Sequence, residues 1–157
     1  MTPDEIVRLI AQYRAGIEAE LNLLRQLAEI AAHQRSVTGT GDFAAFSDAS
    51  DERDRIMRSL VTIEEGLREV RATLTAHRET AEKIHGFEDV VRLHREAATL
   101  TGSILNADQA SMSALADAEL ARRTAVASLE RGETTLAAYR RVLAPPVASA
   151  TLLNRRG

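Results

Sequence analysis

The amino-acid sequence predicts an all-α fold, a long antiparallel helical hairpin or coiled-coil three-helix bundle with an extended C-terminal helix. Proline occurs at positions 3, 145 and 146 and nowhere between them. Because a proline inside a helix costs about 3 kcal/mol, this distribution permits very long helices. Apolar residues also recur at steps of three and four, which places them on one helical face. We therefore predict a single helical domain over residues 1–157, with helices at about 3–36, 43–85 and 88–143 and a flexible tail at 144–157.

The first helix has a clear start in the sequence. Thr2 is a favourable N-cap, Pro3 suits the first helical position, and Glu5 can close a capping box. The helix then carries one apolar stripe: Ile6, Ile10, Tyr13, Ile17, Leu21, Leu24, Ala28 and Ala31. Two glycines followed by Asp42 predict a turn and the N-cap of the next helix.

The second helix has the most regular pattern in the chain. Its apolar positions alternate steps of four and three, as in a heptad seam. The seam comprises Ala49, Arg53, Ile56, Leu60, Ile63, Leu67, Val70, Leu74, His77, Ala81 and Ile84. Arg53 is the charged exception, and an acid of another helix could neutralise it there. His85 and Gly86 read as the C-terminal stop.

The third helix is predicted to be longer than its antiparallel partner. If the two pivot near Gly86, about 13 residues of the third helix, or about 20 Å, extend beyond the end of the second. This overhang carries an apolar stripe without an intramolecular partner, which is typical of a docking surface. The stripe includes Leu129, Leu136, Tyr139, Val142 and Leu143. The alternative is that Gly132 lets the chain fold back and cover the first helix.

Composition limits the possible functions. Only five side chains are aromatic, and the formal net charge is −3 without a long basic cluster. Neither feature favours nucleic acid or an anionic membrane surface as a partner. The absence of cysteine excludes disulfides and thiolate chemistry. No apolar run reaches the roughly 18 residues of a membrane span, and we predict a cytoplasmic protein without membrane insertion.

The residues do not predict an enzyme, a metal site or a cofactor. Carboxylate-bridged metal sites in bundles use two Glu-x-x-His pairs, and only Glu82 and His85 form one. We expect His77 and His94 to lie at a similar level across the helical hairpin, as partly solvated seam residues. The sequence also lacks a phosphate loop, a dinucleotide-binding fingerprint and a nucleophile elbow.

Several stretches resemble the flagellar export chaperones of the FlgN-like family. Members typically have a leucine-rich first helix, a Gly-Asp turn and a second helix with basic residues among leucines. The matching segments here are residues 21–31, Gly41–Phe46, Glu52–Ile56, Leu67–Arg71, Ile104–Asp108, Leu129–Gly132, Leu136–Arg140 and Asn154–Gly157. The closing segment departs from the family pattern, because Leu153 and Asn154 stand where an aromatic residue and an aspartate often precede the basic pair.

The resemblance implies a cytoplasmic chaperone that binds the C-terminal helices of hook-filament junction proteins and delivers them to the flagellar export gate. In this interpretation Leu129, Leu136, Val142 and Leu143 form the client-binding stripe, and Tyr139 contacts the export gate. The protein would be a monomer or weak homodimer. Two alternatives remain: a homodimeric coiled-coil adaptor that pairs through the second-helix seam, and a FliT-like chaperone for the filament cap.

Overall fold

A computed structural model shows an all-α protein. It describes residues 1–116 and 119–143, in which it contains no β-strand. The helices are α1 (Pro3–Thr38), α2 (Phe43–Ala76), the short α3 (Arg78–Ala81), α4 (Phe87–Leu115) and α5 (Glu119–Leu143). The tail at 144–157, which the sequence predicts to be flexible, lies outside the described residues.

The predicted helix starts are confirmed at the level of individual hydrogen bonds. The Glu5 N–H donates to the Thr2 hydroxyl at 3.3 Å, and the Thr2 N–H donates to Glu5 Oε2 at 2.6 Å. The Ala45 N–H donates to Asp42 Oδ1 at 3.0 Å at the start of α2. Gly86, which precedes α4, has a φ of +96° that favours glycine. Local sequence chemistry therefore determines where α1, α2 and α4 begin.

The four long helices form an up-down-up-down bundle. α1 and α5 each pack against both α2 and α4, so α1 and α5 occupy opposite corners. Ion pairs Arg14–Asp89 and Arg25–Glu96 show that α1 and α4 run in the same direction. α2 and α5 run the opposite way. Each helix thus has two neighbours, as in other four-helix bundles.

The prediction of one continuous third helix at 88–143 is wrong. The structure divides this segment into α4 and α5, and α5 returns along α4 and covers α2. The second helix also ends earlier than predicted, at Ala76 rather than residue 85. An extended C-terminal helix would leave its apolar stripe in water, whereas burial of each large apolar side chain contributes about 1.5–3 kcal/mol. This gain exceeds the cost of ending a helix at 116.

The core consists of a long main cluster and a smaller cluster near the α1–α2 turn. The main cluster includes the predicted stripe of α1 and most of the predicted α2 seam. The smaller cluster comprises Phe46, Leu115, Ala125 and Leu129. Leu136, Tyr139 and Leu143 belong to the main cluster. The expectation that the C-terminal stripe lacks an intramolecular partner is therefore wrong, and the alternative of a fold-back at Gly132 places the turn too late in the chain.

Substitution of alanine at two helical glycines should change the stability of the bundle in opposite directions. A methyl group at Gly16 would lie 2.6 Å from the Leu67 Cδ atoms, whereas one at Gly102 would meet nothing within 4 Å. Because overpacking a core costs about 1–3 kcal/mol, Gly16→Ala should destabilise the bundle despite alanine's higher helix propensity. Gly102→Ala should stabilise it by up to about 1 kcal/mol. Urea unfolding of both variants measures this difference, and an equal change in both would contradict the close α1–α2 packing.

Candidate functional site

An apolar groove lies between α2 and α5. Its volume is about 430 Å³. Val61 on the α2 wall is 44% exposed and Val142 on the α5 wall is 40% exposed. The lining residues are Met57, Leu60, Val61, Glu64, Glu65, Arg68, Arg71, Thr134, Thr135, Leu136, Ala138, Tyr139 and Val142. We call this recess the lower groove.

A buried ion pair forms the polar part of the floor of the lower groove. The Arg71 guanidinium donates to both carboxylate oxygens of Glu64, at 2.8 and 2.6 Å. Arg71 Nε also donates to the Tyr13 hydroxyl at 3.0 Å, and this hydroxyl is hydrogen-bonded to His94 Nε2. Burial and the nearby Arg71 charge together lower the pKa of His94 to about 3. His94 is therefore neutral at physiological pH, and the network joins α1, α2 and α4.

Tyr139 extends this polar network to the fourth helix. Its hydroxyl donates to Glu20 Oε2 on the diagonally opposite α1, and both side chains are buried. Burial and the adjacent Glu64 carboxylate together raise the pKa of Glu20 to about 9. Glu20 is consequently protonated in the folded protein at neutral pH. Tyr139 thus fixes α5 to the bundle, and its hydroxyl is buried.

A second buried network lies against the middle of α5. Arg53 forms a two-point ion pair with Asp108 of α4, and its Nη1 also donates to Gln34 Oε1 at 3.1 Å. The pairing of Arg53 with an acid of another helix agrees with its predicted seam position. Gly132 of α5 lies against the guanidinium, because a methyl group there would be only 3.0 Å from Nη2. The absence of a side chain at Gly132 lets α5 approach this ion pair.

The recess between α2 and α5 continues towards the α1–α2 turn. This upper groove has a volume of about 320 Å³ and a more polar lining. Asp51 and Asp54 lie on its α2 wall and Arg131 on its α5 wall. The remaining lining residues are Phe43, Phe46, Ser47, Ser50, Thr124, Ala125 and Ser128. The α2–α5 surface therefore changes from apolar to charged along its length.

The structure brings only part of the predicted C-terminal site together. Leu136, Tyr139 and Val142 all line the lower groove, but only Val142 is exposed. Leu129 lies in the smaller cluster and Leu143 in the main core, where both contact other helices of the same chain. Leu129, Leu136 and Leu143 thus hold α5 on the bundle. They do not form an uncovered binding stripe.

The histidines do not form the arrangement predicted from the sequence. His94 packs against the Tyr13 ring at 5.4 Å between centroids, so it faces α1 and not the end of α2. His77 caps the C-terminus of α2, which lies diagonally across from α4. Over the ranges 1–116 and 119–143, no group of three or more His, Asp and Glu side chains is placed to hold a metal ion.

The site residues that sequence reasoning missed are those of the α2 wall. Val61 and Glu65 lie off the heptad seam, so the pattern assigns them to solvent, and their groove exists only because α5 folds back.

None of the helices in the described part of the chain is both long and apolar enough to cross a membrane. A scan of protein-family models, a search of curated proteins and a search of solved structures each found no match to this chain.

Proposed function

We propose that this protein is a helix-binding export chaperone that holds an amphipathic client helix in the lower groove. The resemblance to FlgN-like proteins suggests the C-terminal helices of hook-filament junction proteins as clients, in the cytoplasm, with later delivery to the export gate. The observation that carries the proposal is the lower groove, whose two walls each expose a valine. Helix-in-groove recognition uses such an apolar channel between two helices.

The size and chemistry of the lower groove suit one helical face. Its volume of about 430 Å³ is that of a small-molecule pocket, which is room for a few side chains of a helix rather than for the whole helix. Val61 and Val142 supply apolar contacts at the rim, and Leu60 and Leu136 supply them in the floor. The Glu64 carboxylate is already paired with Arg71 and needs no partner from the client. Apolar client side chains can therefore enter without leaving a floor charge uncompensated.

The proposed client surface differs from the stripe predicted by sequence. Leu136 and Val142 remain in it, while Val61 joins from α2 and the roles of Leu129 and Leu143 become structural. A contact of Tyr139 with an export gate would require α5 to leave the bundle, since the ring and hydroxyl are buried. We therefore base the proposal on the groove and not on Tyr139.

The adaptor alternative has less support. It needs the α2 seam as a dimer interface, but most of that seam, including Leu60, Leu67 and Leu74, is covered within the chain. A FliT-like chaperone for the filament cap would use the same groove with another client. Junction-protein and cap-protein fragments in parallel binding assays distinguish these two possibilities.

Charged substitutions at the rim of the lower groove should abolish client binding. We expect Val61→Asp and Val142→Asp each to weaken binding of a junction-protein C-terminal fragment at least about tenfold, because a carboxylate replaces a desolvated apolar contact. Val7→Asp is the matched control, since Val7 is 47% exposed on α1 outside the groove. Fluorescence anisotropy gives the affinities, and thermal unfolding checks that all three variants remain folded.

Equal affinities for the groove variants and the control would show that the client binds elsewhere. If the wild-type protein binds no junction-protein or cap-protein fragment and light scattering shows a stable dimer, the adaptor interpretation would replace the chaperone.

A further inference from the structure

The α2–α5 surface carries opposite charges on its two walls. The α2 wall presents Asp51 and Asp54 in the upper groove and Glu65 in the lower groove, against Arg68, while Glu64 and Arg71 of the floor pair with each other. Arg131 is the charged residue of the α5 wall. A helix lying along the whole surface would therefore meet acids along one of its edges and a base along the other.

These charges are available to a partner. Within the described part of the chain, Asp51, Asp54, Glu65 and Arg131 take part in no salt bridge with another side chain. Asp51, Glu65 and Arg131 are exposed, and Asp54 is half-buried. By contrast, Glu64 and Arg71 of the groove floor neutralise each other. The unpaired charges lie at the rim, where complementary charges set specificity and association rate.

We infer that the α2–α5 surface selects amphipathic helices with basic residues along one edge of the apolar stripe. This inference rests on the proposed function and specifies the client's chemistry. Asp54 and Glu65 are about 11 residues apart on α2, or about 16 Å, which is three helical turns. The client helix therefore carries Lys or Arg about three turns apart, with two or three apolar anchors between them for the lower groove.

The charge difference between the walls also determines the direction in which the client lies. Reversing an amphipathic helix while keeping its apolar face in the groove exchanges its two edges. A helix with bases on one edge and an acid on the other then places like charges together, which is unfavourable. One direction is accordingly favoured, in the way that flanking charges set the orientation of helices in coiled coils.

Two synthetic helices test this inference. Both are fluorescent amphipathic peptides of about 22 residues, or six turns, with the same apolar stripe. One carries Lys about 11 residues apart on one edge, and the other carries Glu at the same places. We expect the wild-type protein to bind the Lys peptide at least about tenfold more tightly at low salt, with a smaller ratio at about 0.5 M NaCl because salt screens rim charges.

Two pairs of substitutions in the protein test whether the groove causes the preference for the Lys peptide. Asp54→Lys with Glu65→Lys should reverse the peptide preference. Glu52→Lys with Glu69→Lys changes the net charge equally on exposed residues of α2 that do not line the groove, and should retain it. A reversal by the control pair would attribute the preference to net charge and overturn the inference.

The outcomes also separate this inference from the proposed function. If the wild-type protein binds the two peptides equally and Val61→Asp loses this binding, the proposal of a helix-binding groove stands and the inference of charge selectivity is rejected. Failure of both peptides to bind would reject both proposals.

Discussion

Asp108→Ala is expected to lower the free energy of unfolding by about 3–5 kcal/mol. Asp108 and Arg53 are 1% and 2% exposed, and the carboxylate is paired with the guanidinium at two points. Among residues 1–116 and 119–143, removal of the carboxylate leaves the buried Arg53 charge with only Gln34 as a hydrogen-bond partner. Since α4, α2 and Gly132 of α5 all meet at this pair, its loss should loosen three helices together. Chemical denaturation followed by circular dichroism measures the effect.

An exposed ion pair provides the control for Asp108→Ala. Arg25 donates to Glu96 at 2.8 Å between α1 and α4, but both side chains are largely exposed. Glu96→Ala should therefore cost less than about 1 kcal/mol. Similar losses for Glu96→Ala and Asp108→Ala would contradict the importance of burial for the Arg53–Asp108 pair.

Glu20→Gln is expected to raise the free energy of unfolding by about 3 kcal/mol at pH 7. Burial raises the pKa of Glu20 to about 9 from an ordinary value of 4.5, with a further contribution from Glu64. The wild-type carboxyl must take up a proton when the protein folds at pH 7, which costs about 1.4 kcal/mol per pH unit above 4.5. Glutamine needs no proton, and its carbonyl can still accept from Tyr139.

The pH dependence gives the sign of this effect. Because the folded state binds more protons than the unfolded state, Glu20 supports folding most at pH values below 4.5. Its contribution declines as the pH rises from 4.5 to about 9. The stability difference between Glu20→Gln and the wild type should therefore grow from pH 5 to pH 8. The exposed Glu18→Gln on the same helix is the control, and a constant difference for Glu20→Gln would contradict the burial of a protonated carboxyl.

Much of the bundle could be predicted because local chemistry specifies it. The capping box of Thr2 and Glu5, the Asp42 cap and the left-handed Gly86 that precedes α4 are features within a few residues of chain. The α2 seam follows from the helical period, and even the exceptional Arg53 has the interhelical acid that its position requires. These features can therefore be predicted from the spacing of residues along the sequence.

The break between α4 and α5 has a different origin. No glycine or proline occurs between Gly102 and Gly132, so the sequence carries no strong stop signal near 116. Asp117 is a residue type that favours N-caps and offers a weak signal. The fold-back is decided by burial of Leu129, Leu136 and Leu143 against other helices of the bundle. The lower groove depends on this decision, so its residues could not be identified from helical period alone.

The polar interior shows a similar limit. Glu20 and Arg71 are charged residues at helical spacing from Ile17 and Leu67, and both are buried. Glu20 is hydrogen-bonded to Tyr139 of α5, and Arg71 is paired with Glu64 of the same helix and with Tyr13 of α1. Sequence spacing cannot show that four separate segments bring compatible donors and acceptors to one point.

Several contacts between helices join residues that are distant in sequence, and this affects folding during synthesis. Tyr13 is hydrogen-bonded to Arg71, which follows it by 58 residues, and to His94, which follows it by 81 residues. Glu20 is hydrogen-bonded to Tyr139, which follows it by 119 residues. At about 5–20 residues per second, a ribosome needs roughly 3–13 s to proceed from the end of α2 to the end of α5. Throughout that interval the nascent α1–α2 hairpin exposes the apolar faces that α4 and α5 later cover. Such long-range closure also predicts slower folding than in a bundle of the same size stabilised by contacts between adjacent segments.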